Sequence, residues 1–208
     1  MLQIERFRKE YSDKVILYIE KLHFEEGIHW VKGANGSGKS TLFRCLAGLS
    51  PYKGMIRCCG VDLSRSPSNY KLQVNYAQAE PVFPASLTGR QVLEYFASLK
   101  QSPKTQQTDL INSIRLDTFL DQSVKSYSSG MAKKLALALA FLGQPKLVLL
   151  DEPFNALDAT SREVLFELME LEGKRGCSFL LSTHHDFGSE LNLKTKNWLV
   201  KNQTVTEE

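Results

Sequence analysis

A chain of 208 residues, 42% of them hydrophobic, holds enough apolar material for one sizeable globular domain and is not a disordered or low-complexity segment. Its 26 basic and 23 acidic residues are dispersed and leave a formal charge of +3; without a dense Lys/Arg block, no nucleic-acid partner is expected. The most apolar runs, "LALALAFLG" at 135–143 and "KLVLLD" at 146–151, fall far short of the roughly 18 residues that span a bilayer, and the N-terminal "MLQIERFRKE" is too charged for a signal peptide.

Residues 2–31 alternate apolar and polar in "LQIERF", "KVILYIE" and "GIHWV", which predicts a β-rich N-terminal sheet. Next comes "GANGSGKST" at 33–41, then Leu42, Phe43, Cys45, Leu46 and Leu49 at helical spacing, with Gly48 and Pro51 as the stop. "GMIRCCG" reads as another strand. Cys45, Cys58, Cys59 and Cys177 have neither zinc nor redox spacing and are expected as reduced, small core residues in a cytosolic setting. "TGRQVLEYFASLK" reads as a helix in which Thr88 and Gln91 have capping-box spacing. Residues 85–125 carry helical patterns only. They are expected as a helical subdomain inserted into the main sheet, and with the helix that follows the insertion covers about 85–143. "SGMAKKLALALAFLGQPKLVLLDEP" is a helix, a Gly-Gln-Pro break and a buried strand ending in acid. A helix at 159–172 and a strand at 177–182 follow, which predicts an α/β core with parallel strands. Only the last few residues look loose.

Gly33, Gly38, Lys39 and Ser40 match G-x-x-x-x-G-K-[ST] between a strand and a helix, the context that makes the motif a phosphate-binding loop. Glycines let the backbone N–H groups of residues 36–41 turn inward around a phosphate, and the helix start adds unsatisfied donors and partial positive charge. Asn35, Gly36, Ser37, Gly38, Lys39, Ser40 and Thr41 are therefore the candidate nucleotide-binding residues. Lys39 is expected at the β- and γ-phosphates, Ser40 on Mg2+ and Thr41 at the α-phosphate. "LVLLDEP" puts two carboxylates at the end of a buried strand, where ligands gather in open α/β sheets. Asp151 suits Mg2+, held through water, and Glu152 suits orienting or deprotonating the attacking water.

Six motifs in order resemble the nucleotide-binding subunits of ATP-binding cassette (ABC) proteins: "GANGSGKST", Gln78 in "NYAQAEP", "YSSGM" at 127–131, "LVLLDEP", "NALD" at 155–158 and "STHH" at 182–185. The resemblance covers nearly the whole chain. It implies an α/β fold: a P-loop NTPase core with a parallel sheet, an N-terminal antiparallel β-subdomain and the inserted α-helical subdomain, all in one ATPase domain over 1–208. It further implies ATP and Mg2+ as ligands, with Gln78 a third metal ligand beside Ser40 and Asp151. A second cassette, its own copy or a homologue, would pair head to tail, its signature facing this chain's phosphate loop. Ser128, Ser129 and Gly130, at a helix start, would then bind the partner's nucleotide, with Asp158 contacting the partner. His184 would stabilise charge at the γ-phosphate, with His185 a neighbour. Tyr11 falls where the family stacks an aromatic on adenine, and a core position is the alternative.

The signature departs from the family's Leu-Ser-Gly-Gly-Gln at Tyr127, Ser129 and Met131, and in this resembles the branch serving drug, haem and polysaccharide exporters. The resemblance implies an ATPase subunit driving export through a separate membrane permease, cytoplasmic and peripheral on the inner face of the cell membrane. A soluble ABC ATPase acting on a cytosolic assembly, such as iron–sulfur cluster machinery, remains open. Val82, Phe83 and Leu87 in "EPVFPASL" would meet a short permease helix or form the small core of the helical subdomain. With 24 residues after His184, no added regulatory domain is expected.

Overall fold

Alternation in the first thirty residues becomes two long antiparallel strands, β1 (Leu2–Tyr11) and β2 (Lys14–Phe24). In the computed structural model, which describes residues 1–183 and 195–208, β1 also pairs with β4 (Lys53–Cys58), and β4 pairs with the two-residue β5 (Val61–Asp62). β1 is irregular at Arg6, which has φ 46°, and its register against β4 shifts between Glu5 and Arg8. The buried side therefore changes parity, from Leu2 and Ile4 to Phe7 and Lys9, as a bulge requires. Gly54 lies against this bend at φ 105°, where an added Cβ would collide with Arg6 O.

The third predicted strand, β3 (Ile28–Lys32), leaves this sheet for a second one. There it runs parallel between β8 (Ser178–Thr183) and β9 (Thr195–Lys201). β7 (Leu147–Asp151) and β6 (Val74–Ala77) extend the parallel sheet on one side, and β10 (Thr204–Glu207) adds an antiparallel edge on the other. The order is β10-β9-β3-β8-β7-β6. The phosphate-loop strand thus lies inside the sheet, with one strand, β8, between it and the strand that ends in acid. β10 corrects the expectation of a loose C-terminal end, because its backbone groups pair with β9 despite a polar sequence.

The central strands β7 and β8 are buried on both faces. Leu147, Leu149 and Leu180 face a cluster with α1 (Lys39–Leu46) and the antiparallel sheet. Val148, Leu150, Phe179 and Leu181 face a cluster with α3 (Gly89–Leu99), α4 (Lys104–Ile114), α5 (Ser129–Ala140) and α6 (Ala159–Lys174). The result is a layered α/β fold. α2 (Pro67–Gln73) leads into β6, whose buried Asn75 donates to Ala140 O and Leu142 O and so ties β6 to the end of α5. α3 carries the expected capping box, Gln91 N–H donating to Thr88 Oγ1 at 3.2 Å and Thr88 N–H to Gln91 Oε1 at 2.9 Å. Cys45, Cys58 and Cys177 are buried, whereas Cys59 is exposed. It occupies the turn after β4 at φ 46°, which corrects its reading as a strand and core residue. Phe83 and Leu87 pack against the helical-side core, and Val82 is 82% exposed.

Candidate active site

Where β3 ends, the chain turns through Gly33 at φ 155°. A Cβ added there would lie 2.6 Å from Ser37 Oγ and 2.8 Å from Val200 O, so only glycine closes this loop. Gly38 precedes α1 at φ 108° and offers no side-chain cap, leaving the first-turn N–H groups to another acceptor. Lys39 is 6% exposed and folds back over the loop, its Nζ donating to Gly33 O at 2.7 Å and Ala34 O at 3.3 Å. Among the described residues Ser37 Oγ is buried without a hydrogen-bond partner, while Asn35, Gly36 and Ser40 are exposed and Thr41 is half-buried. Uncapped donors, an orphaned hydroxyl and an ammonium around one glycine loop form a cradle suited to phosphate.

β7 delivers Asp151, 1% exposed, to the same end of the sheet. Its two oxygens accept from the Ser182 hydroxyl and, at 3.2 Å, from the Tyr76 hydroxyl. Burial, and then the charge of Asp151, push the Tyr76 phenol well above its usual range, which keeps it a donor. Glu152 has φ 46°; its N–H donates to Ser182 Oγ at 3.0 Å and its Oε1 lies 4.0 Å from Lys39 Nζ. One hydroxyl on β8 therefore fixes both acidic residues. Gln78 is half-buried just past the end of β6, and its carbonyl accepts from Lys133 at 3.2 Å. Burial brings the Lys133 ammonium down to about 8, against the opposing pull of Asp151 and Glu152.

A second cluster gathers at the start of α5. Ser128 caps the helix, its Oγ accepting from Met131 N–H at 3.2 Å, and Ser128 and Ser129 are exposed. Gly130 lies close to the loop before α6, since an added Cβ would stand 3.1 Å from Ala156 O. Tyr127 anchors the turn by donating to Phe119 O at 3.0 Å. Asp158 caps α6 by accepting from Ser161 N–H at 2.8 Å and pairs with Lys134 at 3.4 Å. The Ser161 hydrogen bonds, and then Lys134, hold its carboxyl down to about 2. Tyr11 is 49% exposed at the end of β1, with Lys9 Nζ 4.3 Å from its ring centroid, so it is not a core aromatic. The His184 and His185 assignments lie outside the described residues.

The structure thus brings Lys39, Asp151 and Glu152 together and sets Gln78 beside them, while Ser128–Gly130 and Asp158 share a separate edge. Sequence reading missed Ser182, Tyr76 and Lys133. Ser182 stood in view within "STHH", but no spacing rule marks a hydroxyl that reaches a neighbouring strand. Among the described residues no three His, Cys, Asp or Glu side chains form a metal cage; Ser40 and Asp151 are hard oxygen donors of the type that supplement phosphate oxygens around Mg2+.

A sequence model of the family described as "ABC transporter" matches residues 21–155. The chain is 35% identical over 157 residues to the ABC-type transporter ATP-binding protein EcsA of Bacillus subtilis, covering 73% of this chain and 64% of that protein. It is 33% identical over 192 residues to the spermidine/putrescine import ATP-binding protein PotA of Spiroplasma citri, covering 88% and 54%. It therefore spans somewhat over half the length of these curated relatives. A solved ATP-binding subunit of an ABC transporter superposes with TM-score 0.90 at 26% identity, covering all of this chain and 89% of the other. A dimeric ATP-binding cassette in a post-hydrolysis state with ADP and Pi superposes with TM-score 0.85 at 17% identity, covering 100% and 98%, a likeness of fold alone. Among the described residues no helix is long and apolar enough to cross a membrane.

Proposed function

Because this chain belongs to the ABC transporter family of ATP-binding cassettes, we propose that it is a Mg2+-dependent ATPase subunit that drives export through a separate membrane permease by ATP-dependent closure of a cassette dimer. The observation that carries this reading is the meeting of Lys39 and Glu152, 4.0 Å apart, across the mouth of a loop whose Ser37 hydroxyl and first-turn amides await an acceptor. Lys39, Ser37, Ser40, Thr41 and the backbone of Asn35–Gly38 bind the phosphates, and Tyr11, exposed at a strand end, offers a stacking face to adenine. Ser40, Asp151 and Gln78 hold Mg2+, which when bound neutralises phosphate charge. Glu152, locked at its N–H by Ser182, orients or deprotonates the attacking water, since phosphoryl transfer depends on positioning and charge neutralisation. His184, outside the described residues, would stabilise charge at the γ-phosphate.

Ser128, Ser129 and Gly130 serve the nucleotide of a second cassette, paired head to tail, with Asp158 at the same edge. One ATP between two helix starts couples nucleotide to closure, and loss of its γ-phosphate reopens the pair. We take 1–208 as one ATPase domain with 85–143 as its helical insertion, which the shared core of α3, α4 and α5 supports. Export rather than import rests on the "YSSGM" signature followed by lysines. Docking on a permease puts the chain at the cytoplasmic face of the membrane, with exposed Val82 at the contact. Phosphate release from ATP tests the chemistry: the native chain hydrolyses ATP only with Mg2+, and Glu152→Gln lowers turnover by about 100-fold or more while retaining ATP binding. Native turnover in that variant would remove Glu152 from its role.

A further inference from the structure

Lys133 is a charged residue in an apolar helix, in the second turn of α5, and is 1% exposed. Its ammonium has three protons and meets three main-chain carbonyls: Asp151 O at 3.0 Å, Gln78 O at 3.2 Å and Ala79 O at 3.2 Å. These belong to two strand ends that sequence separates by more than seventy residues, and the helix that carries Lys133 begins at Ser128–Gly130. The adjacent Lys134 instead reaches Asp158. Two consecutive lysines thus tie one helix to different loops, and only Lys133 is buried. A buried ammonium with every proton placed is a rigid joint, because removing it takes a charged donor from three carbonyls at once.

We propose that Lys133 is a positioning residue for the reaction put forward above: its ammonium holds the carbonyls of Gln78, Ala79 and Asp151 together, so that Gln78, Glu152 and the Ser128–Gly130 turn move as one body. The inference rests on that functional reading. Glu152 follows Asp151 directly and is fixed on its other side by Ser182, so Lys133 and Ser182 clamp the peptide between them. Ala79 opens the segment leading to α3, so a displacement there reaches α5 without passing through any substrate contact.

The test replaces Lys133 with methionine, similar in length but without protons to donate, and follows amide hydrogen exchange in the nucleotide-free protein together with steady-state ATP hydrolysis. In Lys133→Met, exchange in the segments around 78–82 and 152–156 rises about tenfold, exchange in 33–41 stays at the native rate, and kcat falls about tenfold with KM for ATP nearly unchanged. Native exchange in both segments, or a rise spread evenly along the chain, overturns the proposal. Should Lys133→Met not fold, Lys133→Leu, which also lacks donors, is read by the same criteria. Exchange is measured without nucleotide, so a native chain that fails to hydrolyse ATP would refute the function proposed above while the exchange result still decides the part of Lys133.

Discussion

Lys39 is held by the loop it would serve. Its ammonium rests on the Gly33 and Ala34 carbonyls and faces Glu152, so the charge is in place before any phosphate arrives. Lys39→Ala removes a charge-assisted donor, and ATP affinity is expected to fall about 100-fold, equivalent to about 2.7 kcal/mol. Titration with a fluorescent ATP analogue checks this; native affinity would make the loop a structural turn. At this scale the sequence disclosed Gly33, Lys39, Asp151 and Glu152, because a phosphate loop and a buried strand ending in acid each impose residue types at fixed offsets. Ser182, Tyr76 and Lys133 were hidden because each acts through space from a different element, and a hydroxyl or ammonium has no periodicity of its own.

His29 shows how an element of the core can carry a pH dependence. It lies in β3 with its Nε2 donating to Glu25 O at 2.9 Å and its Nδ1 accepting from Trp198 Nε1–H at 3.0 Å, so the ring is neutral and joins β3 to β9. Burial lowers its pKa, outweighing the Glu25 carbonyl, while Lys196 works in the same direction as burial and Glu207 and Glu25 oppose it. Below about pH 6.5 the unfolded chain takes up a proton that the folded chain refuses, so this contribution is present above that pH and lost as pH falls towards the folded pKa. The slope is at most about 1.4 kcal/mol per pH unit. Thermal melts between pH 7.5 and 5.5, with these values chosen to bracket a histidine near about 6.5, are expected to show a decline that His29→Gln removes; an equal decline in both would assign it elsewhere. Long alternating strands and the capped α3 were legible because their pattern is their burial. β6 was not, since "VNYA" places Asn75 in the core, a position that makes sense only once Ala140 O and Leu142 O are beside it. β5 has two residues, too few for any alternation.

The whole molecule presents two chemically unlike edges: a phosphate cradle with Lys39, Asp151 and Glu152, and a capped helix start with Ser128, Ser129, Gly130 and Asp158. Motif order made both visible in the sequence, but a site divided between copies, as proposed above, would leave no trace in one chain beyond its two halves. Val82 stands out from a segment in which the partly buried Phe83 and Leu87 pack against the core. Val82→Asp is therefore expected to leave ATP binding intact and to reduce recovery with membranes that contain the co-expressed permease, whereas full recovery would exclude this contact. The most direct measurement is the light-scattering mass of Glu152→Gln with Mg2+ and saturating ATP. With hydrolysis arrested and both half-sites intact, the expected mass is twice that of one chain, reverting to the single-chain mass when ATP is replaced by ADP; a single-chain mass while ATP is demonstrably bound would rule out ATP-dependent pairing.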